Sequence, residues 1–278
     1  MNVIEIKDWA HFTEIAEKRS AMGPEGPNIF RGQENAEWSL RPSLTRLLVT
    51  QKVDIDRALE LERKALTAFQ QRAHLAADFC RDIEKNDELS WWEIMQHYGA
   101  PTRLLDWTKS PYIALYHTVE NLGRTGIDGA LFLFDAGHLN YVMEIRHGEE
   151  GGASHFPFHQ FRRSLAGEKY EKCINVIGNP RPTDRMVAQQ SSFTVCTELL
   201  EDHDKFADSF VFDGVYGGEG HSIVTKYIVK GKLKTRFLAN LEMMNITASA
   251  LFPGIDGLGK SIKEMVEITV RRGSKKAT

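Results

Sequence analysis

The chain has little of what marks the specialised protein classes. Its three cysteines, Cys80, Cys173 and Cys196, stand far apart in 278 residues. Their odd number and the lack of any Cys-x-x-Cys spacing exclude a disulfide framework, a zinc ribbon and a dithiol redox motif, and they read as buried thiols. No run approaches the roughly 18 consecutive apolar residues of a membrane span, so no membrane partner is expected. The opening MNVIEIKDWAHF has no basic segment leading into an apolar one, which argues against a secretory leader and for a cytoplasmic protein. Charge of one sign is lacking too: a net charge of −3 gives no global basic surface for nucleic acid or anionic lipid. The ten histidines are scattered, and the nearest set, His147, His155 and His159, lies in a glycine-containing region without a paired His-x-x-x-His on a clear helix, so no metal is predicted.

What is present fits an ordinary core-forming protein, with 42 % apolar residues. Helical and strand patterns alternate without a repeated βαβ unit, and no low-complexity linker divides them. The expected fold is therefore α+β, a central mixed or antiparallel sheet flanked by helices, as one domain over 1–278 with a helical N-terminal portion and an insertion at 137–181. Asp8 can cap a first helix carrying Trp9, Phe12, Ile15 and Ala16 on one face. Residues 54–86 read as a charged helix with a break near Thr67 to Ala76, its charges forming a solvated face. GALFLFDA at Gly129–Ala136 is a central strand, being almost wholly apolar. Arg162, Arg163, Lys169 and Lys172 suggest a basic helix within the insertion, and Arg185–Cys196 reads as a polar loop entering a strand. Ser222–Val229 is a further strand and Lys232–Met244 an amphipathic helix. In the final helix Leu258, Ile262, Met265 and Val266 should pack on the sheet, and Asp256 should cap its start.

Two stretches carry more polar chemistry than a core needs. QHYGAPTRLLDWTKSPYIALYHTVE, Gln96 to Glu120, places His97, Tyr98, Arg103, Asp106 and Thr108 among Leu104, Leu105 and Trp107, so the polar set rides on a buried strand. A buried polar group costs roughly 1–3 kcal/mol unless paired, and Asp106 therefore needs a partner. NIFRGQENAEWSLRPSLTR, Asn28 to Arg46, ends an apolar strand in Arg31 and Gly32. The planar fork of arginine suits phosphate or carboxylate, while Gly32 admits a ligand or a second backbone. Arg31 could equally pair internally with Asp106, Glu34 or Glu37.

Phe30-Arg31-Gly32 followed by Trp38, Leu40, Pro42-Ser43-Leu44 and Arg46, then Gln96-His97-Tyr98-Gly99 and Pro101 through Thr108, resembles the bacterial FRG domain, named for its Phe-Arg-Gly motif. Arg185, Gln189, Ser191 and Phe193 are similar to a third family motif, with Ser191 where glycine is usual. Phe252-Pro253 and Asp256-Gly257 are similar to a fourth, with Gly254 replacing an aspartate. The resemblance spans roughly 25 to 265 and implies a bacterial defence or toxin setting without naming a reaction.

The order of these pieces is also similar to the layout of ADP-ribosyltransferases. That likeness implies NAD as a candidate substrate, Arg31 holding it, Thr108 with Asp106 shaping the nicotinamide pocket, and Gln189 or Gln190 at the late position of the family's glutamate. Glutamine carries no charge, so Asp106, Glu34 or Glu198 would have to stabilise the positive ribosyl centre. The expected site thus gathers Asp106, Gln189 and Thr108 as reacting groups with Arg31, Gly32, His97 and Arg103 as ligand contacts, for an anionic, nucleotide-like small molecule with a nucleic-acid or protein acceptor. The alternative is a non-catalytic nucleotide or nucleic-acid binding module using Arg31, Arg41, Arg46 and Arg103 with Trp38, Tyr98 and Trp107. A nuclease built on His97 and Asp106 ranks last, for want of a metal set.

Overall fold

A computed structural model describes residues 1–20, 28–139, 163–166, 168–178, 183–209 and 222–274. Seven strands form one mixed sheet, in which β1 is Asn2–Ile6, β2 Asn28–Gln33, β3 Leu105–Thr108, β4 Gly129–Asp135, β5 Ile174–Ile177, β6 Ser191–Cys196 and β7 Val224–Val229. Their order is β1-β7-β4-β2-β3-β6-β5, and among the described residues only β1 and β7 pair in parallel. The helices are α1 (Trp9–Ser20), α2 (Ser43–Thr50), α3 (Ile55–Ala76), α4 (Glu88–His97), α5 (Pro111–Val119), α6 (Asp184–Ala188), α7 (His203–Asp208), α8 (Lys234–Met243), α9 (Ala248–Leu251) and α10 (Ile255–Ser274).

Strand alternation splits the apolar residues between two cores. Ile29 of β2 and Ala130, Phe132 and Phe134 of β4 face one core with Trp92 and Met95 of α4. Phe30, Leu131 and Leu133 face the other, with Phe12 of α1, Leu115 and Tyr116 of α5 and Phe237 of α8. The expected cap of α1 holds, Asp8 accepting the His11 N–H; Asp54 likewise accepts the Arg57 N–H at the start of α3 and Ser110 the Ile113 N–H at the start of α5, with Pro111 in its first turn.

The sheet is not evenly knit. β2 shares six register positions with β4 but only Phe30↔Thr108 with β3. Four strands on one side and three on the other therefore part beyond that point, and a cleft opens between them.

Several expectations change. α3 runs unbroken to Ala76, and its Glu62 is buried rather than solvated. Ile174–Ile177, inside the expected insertion 137–181, is the edge strand β5 paired to β6; Arg162 and the histidine set lie outside the described residues. The loop expected before β6 holds the short helix α6, started by Thr183 accepting the Met186 N–H. The final helix is rotated away from the predicted face, leaving Leu258, Ile262, Met265 and Val266 half exposed while Glu264 and Ile268 are buried. The cause is polar: Tyr116 donates to Glu264, Lys260 pairs with Glu120, and Gly257 sits where a Cβ would lie 1.8 Å from the Phe252 carbonyl oxygen. Because α10 begins at Ile255, Asp256 lies inside its first turn instead of capping it.

Gly32 is fixed by α5 packing on β2. A Cβ there would come within 1.9 Å of the Ala114 carbonyl oxygen and 2.7 Å of the Thr118 nitrogen. Gly32→Ala should destabilise the protein by at least about 2 kcal/mol, as overpacking against backbone does. Gly126→Ala, with nothing within 4 Å, serves as the control. Urea midpoints at constant slope measure both.

Candidate functional site

The parted strands enclose a cavity of about 370 Å³. Its floor comes from β2 and β3, where Arg31 bridges the gap: Nη1 donates to the Asp106 backbone oxygen at 2.7 Å, an acceptor that β2 does not pair. The same nitrogen lies 3.8 Å from the Asp106 carboxylate. Arg31 and Asp106 thus share one site. Gln96 orients that carboxylate from α4, donating to it at 2.8 Å, and accepts the Thr102 hydroxyl at 2.6 Å. Arg31 Nε and the Oε1 of Gln33 are buried without a protein partner among the described residues. Two positions apart on one strand, they present a donor and an acceptor.

Other elements close the walls. Trp38 and Arg46 come from the segment after β2, His97 from α4, His117 and Glu120 from α5 and its end, and Arg185 and Gln189 from α6. Burial lowers the Arg31 pKa against the pull of Asp106, and the nearby Arg46 charge lowers it further. Burial also lowers the His97 pKa, with Arg185 acting in the same direction, so His97 is neutral at pH 7 and can accept a hydrogen bond. Behind the floor, Trp107 donates to Thr194 at 2.8 Å, and Thr194 meets His203 Nδ1 at 2.8 Å. Burial, with the Arg31 and Arg103 charges, pushes His203 down to about 3; it is a neutral support.

The carboxylates of the cavity are already matched. Glu34 pairs with Arg124 at 2.8 Å and accepts from Asn121 at 2.7 Å. Glu120 pairs with Lys260 and with His117 at 3.0 Å. Arg46 and Arg185 have no carboxylate within ion-pair distance among the described residues; Arg46 reaches the Arg41 carbonyl at 3.4 Å, and Arg185 lies 4.8 Å over the Phe252 ring. Glu198, considered as a charged substitute, is elsewhere, held by Tyr170 and Lys172.

Of the residues anticipated, Arg31, Gly32, His97, Asp106, Thr108 and Gln189 all line the cavity. Gly32 does so through its backbone, since its missing side chain makes room for α5 rather than for a ligand. The Thr108 hydroxyl oxygen accepts the Ser110 N–H at 3.1 Å, and the Gln189 amide donates to the Leu251 carbonyl at 3.1 Å. Gln190 carries a positive φ of 48° and lies at the turn into β6, accepting the Lys109 N–H at 3.0 Å. Arg103 is a correction. It is 1 % exposed, donates to Glu62 through two nitrogens and to the Cys196 carbonyl at 3.2 Å, and lies over Trp92 at 5.3 Å. It joins α3 to the sheet and has no surface left for a ligand. His117, Glu120 and Gln33 were missed because each reads as an ordinary helix or strand residue; their convergence exists only in three dimensions.

The family model for the FRG domain matches residues 26–125. The chain contains an FRG domain. Searches among curated proteins and among solved structures returned no match. The matched span holds Arg31, His97, Asp106, Thr108, His117 and Glu120 of the cleft, whereas Arg185, Gln189 and Lys260 come from beyond it.

Because Arg103 and Glu62 are buried together, removing one leaves an unmatched charge. Glu62→Gln should cost about 3–5 kcal/mol, and a double replacement by Arg103→Met and Glu62→Leu distinctly less than the sum of the two single losses. Denaturant unfolding of the three variants measures this coupling.

Proposed function

We propose that the FRG domain binds an anionic, nucleotide-like small molecule in this cleft, and that NAD is the candidate substrate, cleaved by transfer of its ADP-ribosyl group or by hydrolysis. One observation carries the reading: among the described residues the wall carboxylates Glu34 and Glu120 are matched, while Arg46 and Arg185 have no carboxylate partner and the partly buried Arg31 is only partly balanced. Guanidinium groups left close together favour a diphosphate or similar anion.

The remaining features agree with such a ligand. Arg124 lies 5.6 Å over the Trp38 ring, and the indole, 38 % exposed at the cavity, can stack a base. Gln33 Oε1 suits a sugar hydroxyl or exocyclic amine. Asp106, whose half-exposed carboxylate is met among the described residues only by Gln96 and by Arg31 at 3.8 Å, supplies the negative charge that Gln189 lacks for a positive ribosyl centre. The nucleic-acid alternative loses two of its four arginines, because Arg41 is paired with Asp202 and Arg103 with Glu62. The defence or toxin setting comes from the family resemblance.

Calorimetric titration with ADP-ribose and an assay of nicotinamide release from NAD test the proposal. Arg46→Ala or Arg185→Ala should weaken ADP-ribose binding roughly tenfold to a hundredfold, the loss of a charge-assisted contact worth about 1.5–3 kcal/mol. An anion seated beside Arg185 should also raise the His97 pKa, visible as a shifted imidazole titration by NMR. Absence of binding by both NAD and ADP-ribose, together with steeply salt-dependent binding of an oligonucleotide, would replace this reading with the alternative.

A further inference from the structure

His117 lies on the inner wall of the cleft near the end of α5, its side chain 27 % exposed. Nδ1 is 3.0 Å from Glu120 Oε1. Burial pushes the Glu120 pKa up, but the hydrogen bonds from His117 and Lys260 and the Lys260 charge act the other way, and the net direction is down. An ionised carboxylate can only accept, so Nδ1 donates to Glu120, and Nε2 is the ring nitrogen left for an exchange of protons. The second Glu120 oxygen takes Lys260 from α10, whose ammonium lies 4.2 Å over the Phe252 ring. The same ring meets His117 edge-on at 6.1 Å and lies under Arg185 from α6. Glu264, the remaining carboxyl group of α10 in this network, is occupied by the Tyr116 hydroxyl. The imidazole is therefore fixed in tautomer and in place, as a general base must be.

We infer that His117 is the acid–base residue of the cleft and that Glu120, braced by Lys260, is its positioning residue. The inference rests on the nucleotide reading above and adds the proton transfer to it. A water or acceptor hydroxyl gives its proton to His117 Nε2 as its oxygen bonds to the ribosyl C1′. The C1′–N bond to nicotinamide breaks, and its electron pair neutralises the pyridinium nitrogen. With water the products are ADP-ribose, nicotinamide and one proton.

The network could instead serve only to tie α5 to α10, and the experiment separates the two roles. Full-length wild type, His117→Ala, His117→Gln and Glu120→Gln are compared for thermal stability, ADP-ribose affinity and nicotinamide release from NAD; the glutamine at 117 can still donate to Glu120 if alanine fails to fold. The expected result is ADP-ribose affinity within about threefold of wild type, kcat lowered roughly 10²–10⁴-fold in the His117 variants with KM little changed, and recovery of His117→Ala by added imidazole. Glu120→Gln should lower kcat less than the His117 variants do. Wild-type turnover matched by folded His117 variants would overturn the inference and leave the ligand reading standing. So would ADP-ribose binding without any turnover by the wild type. Neither binding nor turnover by the wild type would overturn both.

Discussion

The architecture of the cleft depends on one hydrogen bond, from Arg31 to the backbone oxygen of Asp106. β2 and β3 meet at a single register position, so the carbonyl next along β3 lacks the strand partner that a continuous sheet would provide. That oxygen is open to solvent, and a hydrogen bond to it from a charged donor stabilises by about 1.5–3 kcal/mol at most. A guanidinium supplies that donor without closing the gap, because it reaches across a distance that a backbone N–H cannot. The sheet can then be parted and satisfied together, and the residue that satisfies it puts charge into the opening.

Which arginines remain available is decided by burial rather than by motif. Arg103 and Arg31 both come from apolar strand segments, yet they end differently. Arg103 meets Glu62, a carboxylate in a dry contact between α3 and the sheet, and the pair is closed to other ligands. The partner of Arg31 is half exposed and 3.8 Å away, so its compensation is partial. In the low dielectric of an interior this difference is large, whereas at the surface it would be small. The Asp8 cap, the apolar strands and the closeness of His97, Asp106 and Thr108 were legible from short-range patterns, whereas joining Arg31 and Gln189 to them came from the family resemblance. The fate of Arg103 was not, since Glu62 lies 41 positions away on a helix whose charges resemble a solvated face. The strand at 174–177 was missed for a related reason: four residues with one hydrophobic stripe become a strand only because β6 offers an edge.

The rotation of α10 shows how local chemistry can override hydrophobic pattern. Turning Leu258, Ile262, Met265 and Val266 inward would bury four side chains that are now about half exposed, a gain of about 3–6 kcal/mol at the usual value for full burial. The observed rotation keeps instead the Tyr116–Glu264 hydrogen bond, the Lys260–Glu120 ion pair and the close approach at Gly257. With Tyr116 buried on α5 and Glu120 partly buried just past its end, a rotation that removed Lys260 and Glu264 would leave the carboxylate with His117 alone and the phenol without its acceptor, together a cost on the order of several kcal/mol. The polar set therefore outweighs the stripe. Its consequence reaches the cleft, because the helix orientation that keeps Lys260 on Glu120 also keeps Glu120 on His117.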